Sequence, residues 1–335
     1  MAARMKRDIQ CERGCSQAAF AKLRPAPLLA PPAPWGYDGG VPTPPYRKPA
    51  HGKTVPFSPR QAGPHSREHG QGQGHTQGRG WDQVASWYDK LVGDEGSDYH
   101  KNVILPAAMR LLDPRAGERI LDLCCGQGVL ARLLLERKAE VVGVDASPKL
   151  IEAARARSAH PKAKFLVADV CANAGWADGR FDAAACIMAV HDVEAIDKMF
   201  LHLGQALKPG GRAVLVFMHP CFRIPRQSHW GWDEERKIQY RRLDRYGQPL
   251  PVPIATHPGK ATGEQTWFYH RPLAAYINAL GAAGMAVIGC EELYSHRRSQ
   301  PGPRSRAEHR AAEEFPVFLA LVATKPAATG DTTRR

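Results

Sequence analysis

The chain has 335 residues, 43% of them hydrophobic, and a formal net charge of +13. That length suits one large α/β domain or two small ones, and no apolar run approaches the roughly 18 residues of a membrane-spanning helix. Charge is uneven: residues 1–80 hold 12 Lys/Arg against 4 Asp/Glu, so +8 sits there and +5 on the remainder, too little to mark a dedicated nucleic-acid groove.

Residues 1–80 contain 23 Pro plus Gly and almost no apolar periodicity. Such a composition cannot bury enough surface to offset chain entropy, so this basic segment is expected to be a disordered, solvated tail. Its start, MAARMKRDIQCERGCSQ, has no apolar stretch after the charges and carries Asp8 and Glu12, which argues against signal and transit peptides. A cytoplasmic protein with no membrane partner is expected. Cys11 and Cys15 alone are too few for zinc, and Cys171, Cys186 and Cys290 lie in apolar runs as reduced thiols do, so no metal site is expected.

From Trp81 the texture changes. The segments WDQVASWYDKLVGD and SDYHKNVILPAAMRLLD space apolar residues as helices do and end near Asp113-Pro114. Strand-like runs follow at 119–124, 139–145, 164–169, 181–188, 211–218, 285–291 and 315–324, alternating with helical ones near 127–137, 148–158, 193–207 and 271–284. That alternation belongs to a mostly parallel sheet covered on both faces. Residues 221–268 are far too long for an ordinary strand-to-helix loop and read as an insertion. The polar SHRRSQPGPRSRAEHRAAEE before the last strand is too Pro-rich to be helical throughout, so the last two strands are expected to pair antiparallel across a long loop. Residues 327–335 read as a second disordered tail.

The stretch ILDLCCGQGVLARLL, residues 120–134, sets a glycine turn between a strand and a helix. Gly126 and Gly128 allow a ligand to approach the backbone. Taken alone, Gly126, Gly128 and Ala131 also satisfy a dinucleotide fingerprint, which a nicotinamide-dependent oxidoreductase would share. Four further features accompany them: Asp122 inside the strand in LDLCCGQG, an acid ending the second strand in VVGVDAS, another ending the third in LVADV, and LKPGGRAVLVF introducing the fifth. In that order they resemble the class I S-adenosylmethionine-dependent methyltransferases, over about Trp81 to Lys325.

The resemblance implies a Rossmann-like, seven-stranded α/β sheet with its last strand antiparallel, helices on both faces and a methyltransferase domain over 81–326. Within it, 81–115 would form lid helices and 221–268 a substrate cap after the fifth strand. It also implies S-adenosyl-L-methionine as cofactor, contacted by Tyr88, Asp122, Cys124, Gly126, Gly128, Asp145, Ala146, Asp169, Val170 and Met188. Asp145 is placed at a strand end to accept hydrogen bonds from ribose hydroxyls. Asp169 would face the adenine amino group, Asp122 the ligand's ammonium, and Tyr88 would close over the methionine part. Strand-end acids also serve as helix caps, the competing reading for any one of them. Cys124 stands where a glycine is more usual, and neither it nor Cys125 has a helper base nearby in sequence, so both read as small fillers of a tight turn.

The acceptor is less marked. CIMAVHDVEAI follows the fourth strand where amine-methylating enzymes of nucleic acids carry Asn/Asp-Pro-Pro-aromatic, and Cys186 has no proline before it, unlike a C5-cytosine nucleophile. His191 and His219 start loops at the catalytic edge as candidate bases, His219 held by Pro220 so that its ring should enter the cavity; either imidazole equally suits ordering a loop. The segments HPCF and YHRPL resemble bacterial methyltransferases acting on small molecules. Phe222, Trp230, His270 and Arg271 are the candidate substrate contacts, although the aromatics equally suit a small core within the insertion. The expected activity is methyl transfer to an O, N or C atom of a small molecule. The alternatives are an RNA or protein methyltransferase guided by the basic tail, a nicotinamide-dependent oxidoreductase and a noncatalytic ligand-binding module.

Overall fold

The computed structural model describes residues 79–172, 175–255 and 265–327. The expected tails therefore lie outside the described residues, apart from 79–80 and 327 at their edges.

Eleven strands and seven α-helices follow one another among the described residues. Helix α1 (Arg79–Val92) comes first, then a single π-helical turn (His100–Ile104) running into α2 (Leu105–Leu112). The αβ alternation follows: β1 (Arg119–Leu123), α3 (Val129–Glu136), β2 (Glu140–Asp145), α4 (Pro148–Arg157), β3 (Ala163–Val167), β4 (Phe181–Ile187), α5 (Ile196–Ala206) and β5 (Leu207–Met218). Two hairpins come next, β6 (Ser228–Asp233) with β7 (Ile238–Leu243), and β8 (Leu250–Ala255) with β9 (Gln265–His270). The chain closes with α6 (Leu273–Ala282), β10 (Ala286–Leu293), α7 (Ser305–Glu314) and β11 (Phe318–Thr324).

Seven strands make one sheet in the order β10-β11-β5-β4-β1-β2-β3. β11 runs antiparallel to both β5 and β10, and the pairs from β3 through β2, β1 and β4 to β5 are parallel, which is the arrangement expected from the sequence. Neighbouring residues on a strand point to opposite faces, and this divides the core in two. Ile120, Ala183, Ala185, Val214 and Val216 meet α2, α3 and α4 on one face. Leu121, Leu123, Ala184, Cys186, Leu215 and Phe217 meet α5 and α6 on the other. Each Val, Leu, Ile or Phe fully buried this way contributes about 1.5–3 kcal/mol.

Local chemistry explains the helix ends. Asp113 takes a left-handed conformation (φ 45°) and donates its N–H to Met109 O at 3.0 Å, ending α2 just before Pro114. Ser147 caps α4, its Oγ accepting from the Leu150 N–H at 3.3 Å ahead of Pro148.

Three details differ from the sequence reading. Helix α2 is a core helix and not a lid: Leu105, Ala107, Ala108 and Leu112 are buried against the sheet, leaving only α1 over the cleft. The insertion is two separate hairpins, of which β8-β9 packs through β9 against α1 and the 190–192 turn, while β6-β7 packs against α7. Helix α7 occupies half of the polar loop between the last strands, where SRAEHRAAEE has lost the prolines and glycines that precede it.

Candidate active site

At the carboxyl edge of β1, β2, β3 and β4 lies a cleft of about 700 Å³. Eight of the ten residues expected to hold a cofactor line it: Tyr88, Cys124, Gly126, Asp145, Ala146, Asp169, Val170 and Met188. They come from five different elements or turns, so this meeting is a tertiary fact. Asp122 lines an adjoining recess of about 360 Å³ that shares Tyr88, Cys124 and Ile187 with the main cleft. Gly128 is set back, starting α3 with φ 80° and facing Ala154 and Phe165.

The β1-to-α3 turn is built for close approach. Cys124 and Gly126 both take left-handed φ, 55° and 53°, and a Cβ on Gly126 would come within 3.4 Å of the Tyr88 ring. Met188, at the end of β4, is likewise left-handed (φ 59°), its N–H donated to Val216 O at 2.6 Å. Backbone strain of this kind on a non-glycine residue gathers at ligand sites.

Three carboxyl groups differ in how they are tied down. Asp145 accepts the Gly126 N–H at one oxygen and the Ser147 N–H at the other, both at 2.9 Å. It therefore braces the glycine turn, while Ser147 rather than Asp145 caps α4. Burial pushes its carboxyl above the usual range, opposed by the N–H groups of Ser147, Gly126 and Ala146. Asp169 accepts the Cys171 N–H at 2.8 Å through Oδ1. Asp122 is 2% exposed, and its Oδ2 is buried without a partner. Burial, then the charge of Asp145, pushes Asp122 up to about 8.

Helix α1 roofs the cleft with Trp81 and Tyr88, whose rings meet edge-on at 5.4 Å. Burial raises the Tyr88 phenol well above its ordinary value, so it stays protonated. The roof is latched at both ends. Asp82 accepts from Ser147 Oγ at 2.9 Å and the Lys149 N–H at 3.1 Å. Arg157 of α4 pairs with Asp89 and, at 2.9 Å, with Asp94, and donates to Gln127 Oε1 at 2.6 Å. Gln127, inside the glycine turn, donates in turn to Gly93 O at 2.7 Å.

The thiols of the turn are quiet. Contact with Cys186 and then burial raise Cys124 well above the ordinary thiol range, and burial does the same for Cys125. Neither is set up as a thiolate nucleophile.

The expected catalytic and substrate residues are not brought together in the cleft. His219 is 2% exposed and occupied at both nitrogens: Nδ1 accepts the Cys221 N–H at 3.2 Å, so Nε2 donates to Glu292 at 3.1 Å. With no free lone pair and its ring tilted against Phe222 at 4.9 Å, it is not part of the cleft lining. His191 is buried beneath Phe268 of β9 at 4.8 Å, and burial pulls its pKa down to about 3. Phe222 and Trp230 pack on Phe315 away from the cleft lining. His270 is held to Tyr246 O at 2.9 Å, and Arg271 donates to Val193 O at 3.0 Å, bracing the loop whose Asp192 and Val193 do line the cleft.

Sequence reasoning missed Trp81, Leu150, Ile187, Ala189, Asp192 and Val193 in the cleft and His100 in the recess. Asp192 had a visible signal, an acid directly after the histidine chosen at the end of β4. Burial raises its carboxyl well above the usual range. Among the described residues, no group of three or more His, Cys, Asp or Glu side chains is gathered to hold a metal ion.

Residues 120–211 match the family described as "Methyltransferase domain". A 2-phytyl-1,4-naphtoquinone methyltransferase of Synechococcus elongatus is 34% identical over 146 residues, covering 42% of this chain and 62% of that protein, so less than two thirds of its length is spanned. A demethylmenaquinone methyltransferase of Clavibacter sepedonicus is 35% identical over 245 residues, covering 69% of this chain and 93% of that one. The crystal structure of an S-adenosylmethionine-dependent methyltransferase from Mesorhizobium loti superposes with a TM-score of 0.53 at 31% identity, covering 65% of this chain and 96% of that chain. With its sheet order, its glycine turn and nearly the full length of two such relatives matched, the chain belongs to the S-adenosylmethionine-dependent methyltransferases.

Proposed function

We propose that the protein transfers the methyl group of S-adenosylmethionine to a small-molecule acceptor, with a ring carbon of a quinol-like compound favoured over O and N atoms by the relatives named for naphthoquinone and demethylmenaquinone substrates. The observation that carries the reading is the unpartnered, buried Oδ2 of Asp122 beside a cleft that already gathers Asp145 and Asp169. A buried carboxylate oxygen without a partner costs about 1–3 kcal/mol, and a ligand ammonium would satisfy it. The cofactor fits this chain: Asp122 for its ammonium, Asp145 for the ribose hydroxyls, Asp169 for the adenine amino group, Val170 and Leu150 for the base faces. Bound there, it supplies an electrophilic methyl carbon on a sulfonium.

The chain's own residues then have three tasks. Trp81 and Tyr88 exclude water, which strengthens every polar contact inside. Met188, Ala189 and Val193 offer an apolar wall against which an acceptor can be aligned for in-line attack. A hydroxylated acceptor must also lose a proton. Asp192 lines the cleft with a carboxyl whose affinity for protons is raised by burial, which suits a general base better than the buried His191 or the doubly bonded His219.

The reading predicts that S-adenosylhomocysteine, and not a nicotinamide dinucleotide, binds and stabilises the purified chain. Asp145→Ala should weaken that binding by about 2–3 kcal/mol, the scale of charge-assisted hydrogen bonds left unmade. Labelled methyl transfer to a reduced demethylnaphthoquinone would establish the acceptor class. Binding without any transfer across a panel of phenols, quinols and amines would return the protein to a noncatalytic binding module, and an unchanged dissociation constant in Asp145→Ala would remove the ribose assignment.

A further inference from the structure

Two arginines of the insertion are left with charge that no carboxylate among the described residues pairs with. Arg223 follows β5 and is half-buried; among the described residues its side chain makes no ion pair or hydrogen bond, and its Nε is fully buried without a partner. Arg241, on β7, uses its Nε on Phe222 O at 3.0 Å and one terminal nitrogen on Ser228 Oγ at 2.7 Å, both uncharged acceptors. Both guanidinium groups stand over the ring of Trp230, at 5.9 and 4.9 Å from its centroid, close enough that the charge of Arg223 acts on Arg241. The carboxylate of Glu292 is engaged by His219 and Tyr294.

We propose that Arg223 and Arg241 form a binding site for the phosphoryl group, a phosphate monoester or diphosphate, of a small-molecule ligand. Two like charges held over one ring repel each other, and such a pair persists where an anion is meant to join it. The missing charge is about −2, which a phosphoryl group carries and a carboxylate does not. Guanidinium forks match phosphoryl oxygens two at a time, and Arg223 has all its donors unused. Burial, then the charge of Arg223, pulls Arg241 down to about 10, the direction expected of a cation lacking its counter-ion. Cation–π contact with Trp230 alone is the competing account. It explains Arg241 at 4.9 Å better than Arg223 at 5.9 Å, near the limit of that interaction, and it leaves the buried Nε unexplained. The inference does not depend on methyl transfer, because the site lies on the insertion and outside the cleft lining.

The test uses the full chain and inorganic pyrophosphate, with sodium chloride and sodium acetate at matched ionic strength, read as melting temperature and by calorimetry. Pyrophosphate should stabilise the wild type where chloride and acetate do not. Arg223→Met and Arg241→Met should each weaken its binding by at least about tenfold, the worth of one charge-assisted hydrogen bond. The Lys variants should fall between wild type and Met because they keep the charge without the fork. S-adenosylhomocysteine affinity, measured in parallel, should be unchanged in all four variants, which separates a failure of this site from a failure of the cofactor reading. Three results would overturn the proposal: no preference for pyrophosphate over chloride, equal stabilisation by acetate, or pyrophosphate binding that survives in the Arg223→Met, Arg241→Met double variant.

Discussion

Asp122 shows how one side chain can set the pH behaviour of a site. Its carboxyl is raised to about 8, by burial first and Asp145 second. An ordinary carboxyl of the unfolded chain titrates near 3.9, so between about 3.9 and 8 the native state keeps a proton that the unfolded chain has lost. This contribution lowers stability as pH climbs through that window and levels off above about 8. Binding an ammonium reverses the preference, because the charged carboxylate is then the favoured form. Affinity for S-adenosylhomocysteine should therefore improve by up to about tenfold per pH unit from pH 6 to 8 and flatten beyond. Calorimetry across that range checks it, with Asp122→Asn expected to bind weakly and with little pH dependence; a flat wild-type profile would take the ammonium away from Asp122. The order of acids and glycines along the chain marks Asp122 and Asp145 as candidates, and the fold brings them to the recess and the cleft. Sequence marks the end of a strand, where Asp192 and His219 stand, and does not tell which neighbours occupy a side chain. Glu292, which engages His219, lies 73 residues away.

Helix α1 is recognisable from its apolar spacing, yet its role as a roof comes from contacts with residues about 65 to 68 positions on, Ser147, Lys149 and Arg157. Arg157→Ala would release Asp89, Asp94 and Gln127 together and free one end of the roof. The expected result is a several-fold faster release of S-adenosylhomocysteine in stopped-flow measurements with little change in association, as most affinity differences reside in the off-rate. An unaltered off-rate would mean that the remaining contacts, Asp82 at one end and the Gln127 bond to Gly93 O at the other, hold α1 without Arg157. Helices α5 and α6 depend on a closer contact. A Cβ on Gly204 would stand 2.5 Å from the Ala283 carbonyl oxygen, a backbone atom that cannot turn aside. Gly204→Ala should cost about 1–3 kcal/mol by overpacking, even though alanine is the better helix former. A lowered denaturation midpoint with intact cofactor affinity would register this; an unchanged or raised midpoint would show that the two helices have room to separate.

At the scale of the whole molecule, the composition of residues 1–78 predicts that their removal leaves the methyltransferase domain folded, since 22 of them are Pro or Gly and they offer no periodic apolar face. A deletion starting at Arg79 should melt at the same temperature and bind S-adenosylhomocysteine as the full chain does; loss of folded protein would show that the segment contributes to the core. By itself the sequence determined the sheet class, the edge of the sheet where the cleft lies and most of that cleft's lining, because these follow from local properties: period-two and period-3.6 hydrophobicity, a glycine turn, and acids at strand ends. Only the tertiary structure decided that α2 belongs to the core while α1 is the roof, that the insertion is two hairpins facing different neighbours, and that His219 is spent on Cys221 and Glu292. It alone leaves Arg223 and Arg241 without a counter-charge among the described residues. The physical reason is common to all four. Burial and pairing are properties of surfaces that meet after folding, and a side chain's partner is fixed by the packing of elements that are distant along the chain.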